Sequence, residues 1–134
     1  MLVTGDHGMV NVPADRRIVA EDHDELAGFQ RIGGEGRFRQ LYGPKPEKLA
    51  AAWQTFLGER AVVVTKEDAI ARGWFGPEVS AKTLPRIGDV LVVMLEDWAV
   101  MSRRFAGEFT LVGMHGSLTS AEMLVPLFSV GGRR

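Results

Sequence analysis

Two histidines lie in short glycine-containing segments near opposite ends of the chain, each after a run of apolar residues. The segments are Gly5-Asp6-His7-Gly8-Met9 and Gly113-Met114-His115-Gly116. The apolar runs, Leu2–Thr4 and Phe109–Val112, predict strands that lead into loops. Glycine permits backbone angles that other residues avoid and leaves room for a ligand, so a histidine in such a loop is typical of a site. We therefore expect a fold that brings the two segments together at a metal centre.

The size and charge of the chain indicate one domain without a basic surface. With 134 residues, 46% of them hydrophobic, the chain can bury a core of ordinary size. Its 16 basic and 17 acidic residues nearly cancel, so the sequence predicts no surface that binds nucleic acid or an anionic membrane. Charges or glycines interrupt every apolar run well before the roughly 20 residues of a membrane span. We expect neither nucleic acid nor a membrane as a partner.

The chain contains no cysteine, which excludes disulfides and thiolate metal ligands. This composition fits a reducing compartment, and we expect a cytoplasmic location. The first residues, Met1–Gly5, carry no charged segment of the kind that begins a signal peptide, and they predict a strand already under way. We therefore expect an upstream part, together with any targeting signal, to precede Met1.

The hydrophobic periodicity predicts an α/β domain with a mixed sheet and flanking helices. Pro46–Leu57 has the strongest helical pattern, because proline suits the first turn, apolar residues recur at helical spacing and Gly58 follows. Thr65 is predicted to cap a second helix that ends at Arg72. Further predicted elements are a hairpin formed by Phe29–Ile32 and Arg37–Tyr42, a strand at Ala61–Val64, neighbouring strands at Asp89–Leu95 and Trp98–Met101, a capped turn at Thr119–Met123 and a last strand within Leu124–Val130.

Five segments resemble, in the same order, those of a known superfamily. They are Thr4-Gly5-Asp6-His7-Gly8-Met9, Gly34-Glu35-Gly36-Arg37, Gly73-Trp74-Phe75-Gly76, Arg86-Ile87-Gly88-Asp89-Val90, and Gly113 to Thr119 with Glu122 to Leu127. Together they resemble the C-terminal part of the alkaline phosphatase superfamily, and within it the type I phosphodiesterase and nucleotide pyrophosphatase group. The resemblance implies that residues 1–130 form the C-terminal part of an alkaline-phosphatase-like catalytic domain. We expect residues 131–134 to be a disordered tail.

The resemblance implies a site with two divalent metal ions, usually zinc, that holds a phosphoester while a threonine or serine attacks phosphorus. Asp6 and His7 match ligands of one ion, and His115 matches a ligand of the other. Imidazole nitrogen and carboxylate oxygen are suitable zinc ligands, and two ions about 4 Å apart can stabilise both the attacking and the leaving oxygen. We therefore expect a hydrolase of phosphodiester or pyrophosphate bonds whose partner is a small-molecule phosphoester.

The superfamily's pattern also includes groups that these residues do not supply. Its nucleophile, an earlier Asp and an Asp-x-x-x-His pair all precede the Asp-His-Gly segment, and no Asp lies four positions before any histidine here. Two four-coordinate zinc ions need about six protein ligands, whereas three are matched. We expect the nucleophile upstream of Met1 and no useful hydrolysis by the 134 residues alone.

Two alternatives to this function stay open. One is another branch of the same superfamily, such as a phosphomonoesterase, a sulfatase or a metal-dependent phosphomutase. The other is a non-catalytic remnant that binds metal or a partner, or neither. The sequence alone does not decide between them.

Several other polar residues are weaker candidates for chemistry. His23 lies among acidic residues at 22–25, which is typical of a solvated helix start. Ser117 and Thr119 are close to His115 in the sequence, but we expect Thr119 to cap the following turn and Ser117 to be a loop residue.

A second group of polar residues lies near turns of the predicted sheet. Glu35 and Arg37 could contact a substrate, although the tips of hairpins are glycine-rich for backbone reasons alone. We expect Arg86 and Asp89 to form a local ion pair at the start of a strand.

Overall fold

Ten short strands and three α-helices form the part of the chain that the computed structural model describes, residues 1–131. The strands are β1 (Leu2–Thr4), β2 (Val10–Asn11), β3 (Arg17–Val19), β4 (Arg31–Glu35), β5 (Phe38–Tyr42), β6 (Ala61–Thr65), β7 (Val90–Met94), β8 (Ala99–Met101), β9 (Gly113–Met114) and β10 (Leu127–Ser129). The helices are α1 (Pro46–Leu57), α2 (Lys66–Ala71) and α3 (Ser120–Met123). Short 3-10 helices join several of these elements, and the segment Arg103–Thr110 contains two of them, separated by a kink at Phe105.

A four-stranded sheet carries the largest part of the core. Its order is β4-β5-β7-β6, and every neighbouring pair is antiparallel. All five residues of β7 are buried, which is the pattern of a strand covered on both faces. The predicted hairpin is confirmed as β4 and β5, although β4 begins at Arg31 and continues through Gly33 and Gly34 to Glu35. Gly33 and Gly34 therefore lie within a strand, and the turn itself is at Gly36 and Arg37.

Helix α1 covers one face of this sheet, and its predicted bounds are confirmed. Leu49, Trp53 and Leu57 share one side of the helix and are buried against the sheet. The Trp53 indole donates a hydrogen bond of 3.1 Å to the Leu26 carbonyl, so the largest core side chain has no unpaired polar atom. Gly58 ends the helix with a φ of 56°, a conformation that glycine adopts without strain.

Three small strand pairs bring the two ends of the chain together. β1 pairs with β10 and β2 with β9, both antiparallel, whereas β3 and β8 are parallel. The β1–β10 pair is exposed at every position, including the apolar residues Leu2, Val3, Leu127 and Phe128. β2 directly follows the first histidine segment and β9 forms the first two residues of the second, so their pairing places the two segments side by side.

Two predictions about strands are wrong. Phe109–Val112 is not a strand, because the chain is in a 3-10 helix up to Thr110. The Arg17 guanidinium donates hydrogen bonds to the carbonyls of Phe109 and Leu111, at 3.1 and 2.6 Å. The neighbouring strands predicted at 89–95 and 98–101 exist as β7 and β8, but they do not pair with each other. β7 lies between β5 and β6, and β8 pairs with β3.

The cap of the second helix is as predicted, whereas a predicted ion pair nearby is not formed. The Thr65 hydroxyl accepts a hydrogen bond of 3.2 Å from the Asp68 amide, which confirms the predicted cap of α2. Asp89 pairs with Lys66 at 3.0 Å, so the predicted pair of Asp89 with Arg86 is wrong. Of the predicted tail, Gly131 is irregular and residues 132–134 lie outside the described residues. No helix within residues 1–131 is long and apolar enough to cross a membrane.

Candidate metal-binding site

The two histidine segments lie side by side. We call residues 5–9 the early histidine loop and residues 113–119 the late histidine loop. The antiparallel pairing of β2 with β9 places Val10 opposite Met114 and so aligns the two loops. The rings of His7 and His115 stack, with centroids 3.7 Å apart and an angle of 18° between their planes. The predicted meeting of the two segments is therefore confirmed.

Asp6 is directly beside the stacked rings. Its Oδ2 lies 3.8 Å from Nε2 of His7, and its Oδ1 accepts a hydrogen bond of 3.0 Å from the His7 backbone N–H. The backbone N–H groups of Asp6 and His7, followed by the charge of the His7 ring, lower the pKa of the Asp6 carboxyl. The carboxylate is therefore ionised at neutral pH, with a free oxygen near His7.

A hydrogen bond defines which nitrogen of His7 is free. Nδ1 lies 2.8 Å from the carbonyl oxygen of Gly8. A carbonyl only accepts hydrogen bonds, so Nδ1 carries the proton of the neutral ring and Nε2 keeps its lone pair. A backbone carbonyl on the second ring nitrogen is a common way of orienting a metal-binding histidine.

Gly8 allows the early loop to approach α3 closely. Its backbone N–H donates a hydrogen bond of 2.8 Å to the Glu122 carbonyl. A Cβ atom at position 8 would lie 1.8 Å from the Ala121 carbonyl oxygen, well inside van der Waals contact. Only glycine permits this approach, which explains physically why a glycine follows His7.

The late loop is held by the buried carboxylate of Glu122, which is 2% exposed. This carboxylate accepts hydrogen bonds from the Ser117 backbone N–H at 3.0 Å and the Thr119 hydroxyl at 2.5 Å. It also accepts from Nε and Nη2 of Arg37 at 3.1 and 2.7 Å. Burial alone would raise the pKa of Glu122, but the hydrogen bonds from Arg37, Thr119 and Ser117 outweigh it and lower the pKa.

The guanidinium of Arg37 is buried completely and reaches a second part of the chain. Its Nη1 donates to the Trp98 carbonyl at 2.6 Å and to the Leu95 carbonyl at 3.4 Å. Arg37 therefore connects the turn between β4 and β5 with α3 and with the segment before β8. The sequence-based suggestion that Arg37 could contact a substrate is wrong, because no part of this side chain reaches the surface.

The two hydroxyl groups near His115 have structural partners. The Ser117 hydroxyl is buried and donates a hydrogen bond of 2.5 Å to the Met94 carbonyl. Thr119 precedes α3 as predicted, but its hydroxyl donates to Glu122 and accepts no hydrogen bond from the helix backbone. Neither hydroxyl is placed to act as a nucleophile.

Other features do not add to the site. The cavity beside His115, which Glu35 and Glu108 also line, has a volume of about 30 Å³. This volume admits one or two water molecules and is too small for a phosphoester. His23 belongs to a different region, where its ring packs against Phe56 with centroids 4.7 Å apart.

Asp6, His7 and His115 suit a divalent cation in their chemistry but do not complete a site. A carboxylate and two imidazoles, one of them with a defined free nitrogen, are the donors that zinc prefers in an enzyme without cysteine. Within residues 1–131, however, no group of three or more such side chains is arranged to hold a metal ion by itself. By themselves, the three donors therefore do not form a complete metal site in the described part of the chain.

Sequence reasoning did not identify Arg37 and Glu122 as parts of this region. The spacing of Thr119 and Glu122 matches a capping box, but within residues 1–131 neither side chain bonds to the helix backbone, and the spacing does not indicate that the carboxylate faces Arg37. Arg37 and Glu122 are 85 positions apart, and nothing in the local sequence indicates that they pair. A buried charged residue can be recognised only when the fold is known.

Comparison with known proteins points to one family and one fold. The model of a family described as type I phosphodiesterase / nucleotide pyrophosphatase matches residues 1–118. Human ectonucleotide pyrophosphatase / phosphodiesterase 5 is similar in structure, with a TM-score of 0.63 and 18% identity over 90% of this chain and 31% of that protein. Phosphonoacetate hydrolase from Sinorhizobium meliloti 1021, in complex with phosphonoformate, has a TM-score of 0.65 and 24% identity, over 94% of this chain and 34% of that protein.

These similarities confirm the predicted fold class, a mixed α/β structure that corresponds to part of an alkaline-phosphatase-like fold. The chain spans about a third of the length of the solved structures that it matches. No curated protein matches the sequence.

Proposed function

The chain belongs to the type I phosphodiesterase / nucleotide pyrophosphatase family, and on that premise we propose that it supplies part of a two-metal site for hydrolysing phosphodiester or pyrophosphate bonds. The observation that carries this proposal is the stacking of His7 on His115, at 3.7 Å, with the Asp6 carboxylate beside them. Three donors from the two ends of the chain thus converge at one place. The substrate in this proposal is a small-molecule phosphoester.

Each of the three donors has a separate role in the proposal. Asp6 and His7 bind one divalent ion, through the free carboxylate oxygen and Nε2 of the ring, and His115 binds the other. When bound, two zinc ions would polarise the phosphoryl oxygens and lower the pKa of a coordinated hydroxyl or water. The hydrogen bond from Nδ1 of His7 to the Gly8 carbonyl orients the ring and leaves Nε2 as the nitrogen that is available for binding.

The proposed site takes its remaining groups from outside these 134 residues. Two four-coordinate zinc ions need about six protein ligands, and these residues offer three. The chain also spans only about a third of the structures it matches. We therefore assign residues 1–130 to the C-terminal part of a catalytic domain, with the nucleophile and the other ligands in a preceding part, and expect no hydrolysis by this stretch alone.

The test compares the 134-residue chain with a longer protein that continues the reading frame upstream of Met1. Both are assayed with zinc, and with a chelator, against an aromatic phosphodiester, a phosphomonoester, a sulfate ester and phosphonoacetate. We expect chelator-sensitive hydrolysis of the phosphodiester by the longer protein only. In the longer protein, His7→Ala and His115→Ala should each abolish most of the activity, whereas His23→Ala is the matched control and should not.

The outcomes separate the alternatives. Preference for a monoester, a sulfate ester or a phosphonate would assign the protein to another branch of the superfamily. Metal binding without any hydrolysis by the longer protein would support a non-catalytic remnant. Chelator-sensitive hydrolysis by the 134 residues alone would overturn the proposed incompleteness of the site, and full activity of His115→Ala would overturn the assignment of the second metal ligand.

A further inference from the structure

We propose that Glu122 is a positioning residue that holds the two histidine loops together and thereby sets the separation of His7 and His115. Its side chain binds the late loop and its backbone binds the early loop. That this role serves a metal centre rests on the proposed function. The contact between His7 and His115 is independent of that proposal. Nothing in the match to the family assigns this role.

The side chain of Glu122 anchors the late loop directly after His115. Its two oxygens accept four hydrogen bonds, from the Ser117 amide, the Thr119 hydroxyl and two guanidinium nitrogens of Arg37. A carboxylate offers about four acceptor positions, so this one is saturated. Bidentate pairing with arginine fixes the orientation of the carboxylate as well as its position.

The backbone of Glu122 anchors the early loop. Its carbonyl accepts the 2.8 Å hydrogen bond from the amide of Gly8, the residue next to His7. The carbonyl of the preceding residue, Ala121, lies where a Cβ atom of residue 8 would be. A displacement of Glu122 therefore moves the supports of both loops at once.

The ring of His115 depends on these supports. Among the described residues it forms no hydrogen bond, and it is held by its stacking on His7 and by its neighbours in the chain. On one side Met114 is 4% exposed and pairs with Val10, and on the other Ser117 is tied to Glu122. Loss of the Glu122 carboxylate would remove the partner of the Ser117 amide and leave only the hydroxyl bond to the Met94 carbonyl on this side of His115.

A second ion pair, in which the arginine is buried and the glutamate is partly buried, provides a control. Arg39 is completely buried and forms an ion pair with Glu108, whose side chain is 14% exposed. Arg39 also donates to the carbonyls of Val100 and Gly34. Among residues 1–131, neither partner of this pair forms a hydrogen bond with either histidine loop. Glu108 lines the small cavity beside His115, but Glu108→Gln removes a partly buried charge without removing a hydrogen bond to either histidine loop.

The experiment measures the His7–His115 contact by NMR in the 134-residue chain without metal. Nuclear Overhauser effects between the two imidazole rings, and amide hydrogen exchange at Gly8 and Ser117, are compared in wild type, Glu122→Gln and Glu108→Gln. Thermal unfolding is recorded for all three. We expect both variants to be less stable than wild type, but only Glu122→Gln to lose the inter-ring effects and the protection of the two amides.

A second variant keeps the test informative if Glu122→Gln does not fold. Thr119→Val removes one hydrogen bond to the carboxylate without changing the charge of the interior, and we expect weaker inter-ring effects with the ion pair intact. Retention of the inter-ring effects and of Gly8 protection in every folded variant would overturn the proposal, as would their absence from wild type. If the proposed function is wrong, the longer protein will show no metal-dependent hydrolysis. The NMR measurement on the 134-residue chain does not depend on that result.

Discussion

The guanidinium of Arg37 and the carboxylate of Glu122, 85 positions apart in the sequence, form a bidentate ion pair in the interior, with N–O distances of 3.1 and 2.7 Å. Their side chains are 0% and 1% exposed. Such a pair is costly to break from one side, because the partner that remains is a buried charge without compensation. The pair therefore links the stability of the fold to the arrangement of the histidine loops.

Replacement of the carboxylate should destabilise the chain strongly. We expect Glu122→Ala to lower the free energy of unfolding by about 3–5 kcal/mol, because it leaves the Arg37 guanidinium buried and only partly paired. Urea unfolding followed by tryptophan fluorescence measures this change. The control Glu59→Ala removes an exposed carboxylate and should change the free energy by less than about 0.5 kcal/mol. Equal effects of the two substitutions would contradict the prediction.

The lowered pKa of Glu122 predicts how this contribution depends on pH. A carboxyl whose pKa is lower in the folded than in the unfolded state stabilises the fold above its unfolded pKa, here taken as 4.5. The stabilisation is lost as the pH falls through the folded pKa, because the unfolded chain then binds the proton more readily. We expect the difference in unfolding free energy between wild type and Glu122→Gln to be constant from pH 7 to about 5.5 and to shrink below about pH 4.5. A difference that stays unchanged down to pH 3 would contradict the lowered pKa.

The sequence indicated the candidate donors and their convergence, but not the residues that hold their loops in place. Asp6, His7 and His115 are recognisable because glycines and apolar runs flank them locally, and β1 and α1 have the predicted bounds for the same local reasons. The convergence of the histidines is confirmed by their stacking, whereas metal binding stays a prediction. Local patterns are sufficient where a few neighbouring residues determine the conformation.

The features that the sequence did not predict involve contacts between residues far apart in the chain. The apolar run at 109–112 has the composition of a strand, but a 3-10 helix continues to Thr110 and Arg17 binds two of the carbonyls of the run. The turn at Gly36 and Arg37 is typical of an exposed hairpin, yet the arginine is buried because Glu122 arrives from a distant part of the chain. In both cases an arginine side chain makes long-range contacts that the local sequence does not indicate.

The glycine after His7 provides a steric test of how the early loop is seated. We expect Gly8→Ala to lower the melting temperature by several degrees, because the new Cβ would lie 1.8 Å from the Ala121 carbonyl oxygen and the loop must move away. A loss of about 1 kcal/mol corresponds to roughly 4 °C in a domain of this size. Gly107→Ala is the matched control, since a Cβ there meets nothing within 4 Å. If both substitutions leave the melting temperature unchanged, the close approach of Gly8 to Ala121 does not exist in solution.

Zinc binding by the 134-residue chain should distinguish its three histidines. We expect added zinc to shift the ring resonances of His7 and His115 in NMR spectra and to leave those of His23 unchanged, because His23 packs against Phe56 in another region. The affinity should be weak, since no group of three or more donors within residues 1–131 is arranged to hold a metal ion alone. Asp6→Asn should weaken the effect on His7, whereas Asp15→Asn, at an exposed position elsewhere, should not. Equal shifts at all three histidines would indicate unspecific binding to accessible imidazoles and would remove the support that the stacked pair gives to a metal centre.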